Sequence, residues 1–199
     1  MQTTHFQKVF NLGSLLFLTA ILGAFCTVCF GFSMNSLQEI DYLVFFYRFT
    51  SVIFAISLFT SLMSSVILFF LISREIKDRQ KEDNLYNLWQ SIKQTLSIRT
   101  FLHQSELSEA VTTTEQAKLT HYNPIHKRFN KAVDKSIIDV RKDTIILMIR
   151  IPKTQQAKKI LDDMNTMIIE EVARYNPDYF FSPSNPDKKW AYFVGTKRQ

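Results

Sequence analysis

Glycine is nearly absent from this 199-residue chain: Gly13, Gly23 and Gly31 fall near the start, and Gly195 is the sole glycine after them. That scarcity excludes the glycine-rich phosphate loop of nucleoside triphosphatases and the GxSxG elbow of serine hydrolases. An HExxH zinc motif is also missing. Cysteine is equally scarce. Cys26 and Cys29 are the two present, both inside an apolar run, so the remainder has neither a disulfide framework nor a cysteine-based zinc module. Charge is missing from residues 1–73, where only Lys8, Glu39, Asp41 and Arg48 carry any. Residues 74–199 hold 22 Lys and Arg against 16 Asp and Glu, so the net charge of +6 belongs entirely to them. Such a division excludes an ordinary globular protein with one mixed surface, and the aromatic and branched residues of both parts exclude disorder.

What is present reads as a membrane-anchoring part, residues 1–73, followed by a basic domain, residues 74–199. Leu12 to Phe32 is a charge-free run of 21 residues, and Phe49 to Ser73 is another of 25. Either covers the ~20 residues needed to cross ~30 Å of hydrocarbon. The absence of a small-x-small cleavage site, with a second run following directly, disfavours a signal peptide. Neither run contains an ionisable residue, which argues against a proton relay or a coupled transporter. Cys26 and Cys29, among Phe25, Val28 and Phe30, read as small buried residues and not as a redox pair.

Lys8 precedes the first run, and Arg74, Lys77, Arg79 and Lys81 follow the second, while the connection carries Glu39, Asp41 and Arg48. The positive-inside rule then places both termini and the basic domain in the cytoplasm of a protein of the inner membrane. Small residues recur at every fourth position, Thr19, Gly23, Thr27 and Gly31 in the first run and Ser57, Ser61 and Ser65 in the second. Two readings follow: close packing of one helical hairpin, or a water-filled lumen in an oligomer lined by Ser57, Thr60, Ser61, Ser64 and Ser65.

The second run is expected to continue as one long helix through the stripe Leu85, Leu88, Trp89, Ile92 and Leu96, giving a lever from Arg74 to Ile98. A short helix is expected at Glu106 to Val111, and another opening at Pro124 with Ile125, Phe129 and Val133 on its apolar face. Residues 136–141 and 144–151 read as a hairpin. Thr154 is a candidate N-cap for a long helix from Gln155 to about Arg174. Residues 179–182 and 190–195 read as a second hairpin, turning near Pro183 to Asp187. The fold class is α+β: two N-terminal transmembrane helices, then a small cytoplasmic domain with an antiparallel sheet and packed helices.

Residues 117–159 hold 11 Lys and Arg against Asp134, Asp139 and Asp143. Anionic lipid, nucleic acid and a small polyphosphate ligand all answer to such a surplus. Roughly 40 residues separate it from the second run, which disfavours a juxtamembrane lipid cluster. His121, Tyr122, Asn123 and His126, interleaved with the cations, are of the kind that bond or stack on a base. The candidate ligand-binding residues are His126, Lys127, Arg128, Lys131, Arg141, Lys142, Arg150 and Lys153, with Lys127 and Arg128 off the apolar face of their helix. His121 and His126 lack a neighbouring cysteine or carboxylate, so no metal site, cofactor or enzymatic role is expected.

Taken with the segment YNPIHKRFNKAVDKSIIDVRKD at Tyr122 to Asp143, the order of parts resembles the two-span membrane effectors of type III CRISPR systems that respond to cyclic tetra-adenylate. The resemblance implies a cytoplasmic domain that assembles as a tetramer, binds the cyclic nucleotide and perturbs the bilayer in antiviral defence, by pore opening or disruption. Duplex nucleic acid is not an expected partner under that reading. A reading from another class stands beside it: a membrane-anchored adaptor of a secretion, conjugation or phage system, docking protein or nucleic acid.

Overall fold

Apolar sequence without proline before Pro124 makes the first elements helical. The computed structural model describes residues 4–37, 43–108, 121–183, 185–187 and 189–198. Helix α1 is His5–Leu37 and α2 is Val44–Glu82. The chain divides into two units, one of Lys8–Asp78 and one of Met1–Gln7 with Arg79–Gln199.

In the first unit both helices are long and apolar enough to cross a membrane, and 0 % and 6 % of their most apolar windows are buried. A helix at the core of a soluble protein hides such residues, whereas Phe17, Phe25, Phe59 and Phe69 here face outward. The small residues hold the pair together. Thr19 and Ser64 hydroxyls meet at 3.1 Å, as do Thr27 and Ser57, and Ser61 Oγ donates to the Ala20 carbonyl at 3.0 Å. A Cβ on Gly23 would lie 3.0 Å from that of Ser61, so glycine sets the approach distance. Ser57, Ser61 and Ser64 are thus engaged between the two helices, while Thr60 and Ser65 are exposed.

The second unit holds α3 (Leu85–Leu102), β1 (Leu107–Ser108), β2 (His121–Tyr122), α4 (Pro124–Val133), β3 (Ile137–Val140), β4 (Thr144–Arg150), α5 (Gln155–Asp163), α6 (Asn165–Tyr175), β5 (Tyr179–Phe181), β6 (Asn185–Asp187) and β7 (Trp190–Lys197). The sheet order is β3-β4-β7-β5, with β6 also on β7 and every pairing antiparallel. Phe129, Val133, Ile145, Leu147, Ile149, Leu161, Ile168, Val172 and Phe193 form its buried core. Gly195 of β7 lies under the Phe181 ring, where a Cβ would come within 2.6 Å of Cε1. Only glycine admits that packing.

The continuous lever is corrected, because α2 stops at Glu82. Asn84 is extended at φ −119°, ψ 146°, and its side chain accepts from the Tyr86 amide at 3.2 Å, so it caps a new helix instead of extending the old one. The stripe on α3 also faces outward at Leu85, Trp89 and Leu96, while Ser91, Gln94, Thr95, Ile98 and Leu102 are buried. That polar face covers the edge of β3. Ser91 Oγ accepts from the Val140 amide (2.9 Å), Thr95 Oγ1 from the Ile138 amide (3.0 Å), and Arg99 Nε donates to the Ser136 carbonyl (2.9 Å). Four residues of helix advance ~6 Å and two of strand ~6.6 Å, so helix and edge stay in step.

Two more expectations change. Leu107–Ser108 pairs with His121–Tyr122 where a helix from Glu106 was expected, closed by the Asn123 amide on the Glu106 carbonyl at 2.8 Å; residues 109–120 lie outside the described residues. The long helix from Gln155 is interrupted at Met164, φ −85°, ψ −5°. Asp162 and Asp163 oppose the helix dipole there, and Asn165 and Thr166 are weak helix formers. Asn185–Asp187, expected within a turn, forms β6 on β7.

Candidate anion-binding site

Asn123 starts α4 by accepting the Ile125 and His126 amides on its side-chain oxygen, at 3.0 and 3.4 Å, with Pro124 in the first turn. Burial of Phe129 and Val133 fixes the rotation of the helix. Arg128 and Lys131, at i and i+3, then share another side, and Lys135 follows in the turn after the helix. Across from them β4 ends at Arg150, and Ile151 to Thr154 lead into α5.

These segments enclose a cavity of about 380 Å³ lined by Arg128, Lys131, Lys135, Arg150 and Lys153, with Ala132, Ile151 and Pro152 as its apolar floor. No carboxylate lines it, and none of the five cations has an ion-pair partner among the described residues. Elsewhere in the domain Arg79, Arg141 and Arg174 are paired. Arg79 is fully buried between Asp83 (3.0 Å) and Asp139 (2.5 Å), and Arg141 meets Asp139 at 3.1 Å. Five cations at one cavity, uncompensated among the described residues, create a local positive potential, the condition for capturing an anion. The volume falls within the roughly 300–1,000 Å³ of small-molecule sites.

Thr154 completes the lining. It stands at the N-cap of α5 with φ −96°, ψ 143°, yet its hydroxyl caps nothing: Oγ1 is shielded from solvent and has no hydrogen-bond partner among the described residues. The candidate N-cap of the sequence is thus in position without the capping bond. Arg99, outside the cavity, has its pKa lowered by burial, with Asp134 acting in the opposite direction.

Of the residues singled out from the sequence, Arg128, Lys131, Arg150 and Lys153 come together here, and Lys135 joins them. Lys135 carries the same signal, a cation within the basic region and one turn beyond Lys131. His126 is held elsewhere, its Nδ1 2.5 Å from the Ser105 carbonyl. Lys127 is exposed on α4 outside the lining. Arg141 and Lys142 lie at the far end of the β3–β4 hairpin, ~20 Å along β4 from Arg150, and Arg141 is bound to Asp139. The expected base-reading set is also altered: Asn123 is spent on capping, His126 on Ser105, and the side chains of His121 and Tyr122 lie outside the described residues. Among the described residues no cluster of His, Cys, Asp or Glu is arranged to hold a metal ion. No protein-family profile, curated protein or solved structure matches the chain.

Proposed function

We propose that the chain is a membrane-anchored receptor for a phosphate-bearing small ligand, with cyclic tetra-adenylate the specific candidate and a change in the membrane-spanning helices the output. The observation that carries this reading is the cavity in which five cations, without an ion-pair partner among the described residues, meet with no carboxylate in the lining. The outward-facing apolar helices α1 and α2 support the membrane anchor. Lys8, Arg74, Lys77 and Lys81 support a cytoplasmic domain; Arg79 is buried and does not add to that charge. Under this reading four copies around a cyclic ligand each contribute one cavity, and assembly multiplies the positive potential. The effect on the bilayer requires the ligand to bind one arrangement of the subunits better than the other. Pore opening or disruption in antiviral defence is the proposed consequence.

One observation favours the adaptor reading: the cavity has no aromatic lining on which a base stacks, and the phosphates of a nucleic-acid backbone satisfy the same cations. Titration of the full chain in detergent micelles separates the two. Cyclic tetra-adenylate, linear tetra-adenylate and a DNA duplex are compared at two salt concentrations, with Lys131→Ala/Arg150→Ala as the site control. The receptor reading expects preference for the cyclic ligand, weakening with salt and on the double substitution. Equal or tighter binding of the duplex overturns it in favour of the adaptor.

A further inference from the structure

The apolar helices α1 and α2 meet the domain at points far apart in the sequence, yet both are fastened to it at one place in the fold. Gln7, in the first turn of α1, is buried and donates through Nε2 to the Ile146 carbonyl of β4 at 3.3 Å. Its Oε1 accepts from the Thr4 amide at 3.2 Å, so one side chain ties the start of the helix to the strand. Arg79, near the end of α2, donates to Asp139 Oδ1 and to the Val140 carbonyl of β3. Asp139 and Ile146 are register partners in the β3–β4 ladder. Gln7 and Arg79 therefore hold opposite sides of a single rung. Phe6 joins them, its ring centre 5.3 Å from the Arg79 guanidinium carbon.

We infer that this rung is a clamp coupling the domain-side ends of α1 and α2, so that neither end loosens without the other. Phe6, Gln7, Arg79 and Asp139 are all buried, and a polar contact broken there leaves donors and acceptors that water does not reach. Releasing one helix end therefore weakens what holds the other. The strand that carries the rung is an inner one, since β4 is bonded to β3 on one side and to β7 on the other. Along it, Arg150 of the cavity lies four residues beyond Ile146, ~13 Å away. A displacement of β4 at the cavity thus has a continuous bonded route to both helix ends, and it acts on them as a pair. That use of the clamp rests on the cavity being the ligand site; the clamp itself does not. Gln7 and Asp139 are positioning residues here, because they act on the apolar helices through the strands and touch no ligand.

Hydrogen exchange of the full chain in detergent micelles, followed by mass spectrometry, reads the clamp at two sets of amides, 8–11 of α1 and 75–78 of α2. Gln7→Leu keeps most of the side-chain bulk and removes the bond to Ile146, attacking the rung from α1. Asp139→Asn weakens the hold on Arg79 and attacks it from β3. The expected result is that each variant accelerates exchange about tenfold at both sets, since local opening of either grip opens the other. Leu161→Ala, a core variant on α5 away from the rung, leaves both sets close to wild type and separates the clamp from a general loss of stability. If Asp139→Asn does not fold, Gln7→Leu decides alone. Acceleration confined to 8–11 in Gln7→Leu, or to 75–78 in Asp139→Asn, overturns the clamp. Cyclic tetra-adenylate is then added to the wild-type chain as the ligand probe. Binding that alters exchange at one set and not at the other also overturns the clamp. Coupled exchange in the variants with no binding of cyclic tetra-adenylate upholds the clamp and removes the cyclic nucleotide from the receptor reading.

Discussion

A guanidinium with no solvent exposure is stable only if its donors are satisfied and its charge is met, and Arg79 has both. Nη1 donates to Asp83 Oδ2 and to the Val140 carbonyl, each at 3.0 Å; Nη2 donates to Asp139 Oδ1 at 2.5 Å and to Ser91 Oγ at 3.3 Å. The Phe6 ring lies 5.3 Å from its Cζ, covering the cation. Arg141 on the second oxygen of Asp139 brings the group of four to neutrality. Removing Arg79 leaves Asp83 without a countercharge and Asp139 with Arg141 alone, both carboxylates being 1 % exposed. Arg79→Met should therefore destabilise the domain by about 3–5 kcal/mol. Chemical unfolding of the full chain in detergent, followed by near-ultraviolet circular dichroism, measures this. Adding Asp83→Asn and Asp139→Asn to Arg79→Met should recover a good part of the loss, because those carboxylates no longer need a partner. A single variant as stable as wild type would contradict the account. In the sequence Arg79 is one of four basic residues after an apolar run, and nothing local to it announces burial; its acceptors Asp139 and Val140 are some 60 residues away.

At the scale of elements, α3 matters for what it covers. An open strand edge is a template for pairing with another chain, and β3 is the outer strand of its sheet. Thr95 both accepts from and donates to that edge, its Oγ1 lying 3.2 Å from the Ile138 carbonyl, whereas Ser91 accepts from the edge and donates its proton to the Asn87 carbonyl at 2.7 Å. Ser91→Ala and Thr95→Val should each cost about 1–3 kcal/mol, since each leaves a buried strand amide without an acceptor. Hydrogen exchange should accelerate at Val140 for the first and at Ile138 for the second, with the central amides of β4 changing much less. Exchange unchanged at both would mean that α3 does not cover the edge. The same face explains a misleading signal. Apolar periodicity marks the buried side of a helix that packs on a core, but α3 turns a polar stripe inward because its partner is a backbone edge, leaving Trp89 63 % exposed. The hairpin of β3 and β4 was legible because its apolar run is bounded by Lys142 and Asp143, and the start of α4 because Asn123 and Pro124 are strong signals. The site was legible in part for a similar reason. The charge surplus pointed to Arg128, Lys131, Arg150 and Lys153, but charge alone does not separate a cation that is paired, such as Arg141, from one that is not.

On the scale of the whole molecule, the division of the chain does not follow its linear order, because Met1–Gln7 belongs with Arg79–Gln199. The described part of that N-terminal segment is a built structure. Thr4 Oγ1 accepts from the Gln7 amide at 3.3 Å and Gln7 Oε1 accepts from the Thr4 amide at 3.2 Å, a reciprocal capping box that opens α1. Gln7 Nε2 also donates to the Ile146 carbonyl at 3.3 Å, and Phe6 is 4 % exposed over Arg79. A protein cut at residue 79 therefore loses part of its own fold along with the apolar helices. Burial of Phe6 is worth about 1.5–3 kcal/mol and the Gln7 bond about 1 more, so the missing segment amounts to roughly 2–4 kcal/mol. Residues 79–199 expressed alone should melt at least about 5 °C below the same residues joined at their start, through a short glycine-serine linker, to residues 1–7. Phe6→Ala in the joined protein should remove most of the difference, whereas Lys8→Ala in the full chain should leave the melting temperature of the domain where it was. Equal melting temperatures for the cut and joined proteins would show that the N-terminal segment adds nothing to the domain, and that Arg79 is held by Asp83 and Asp139 without Phe6 above it.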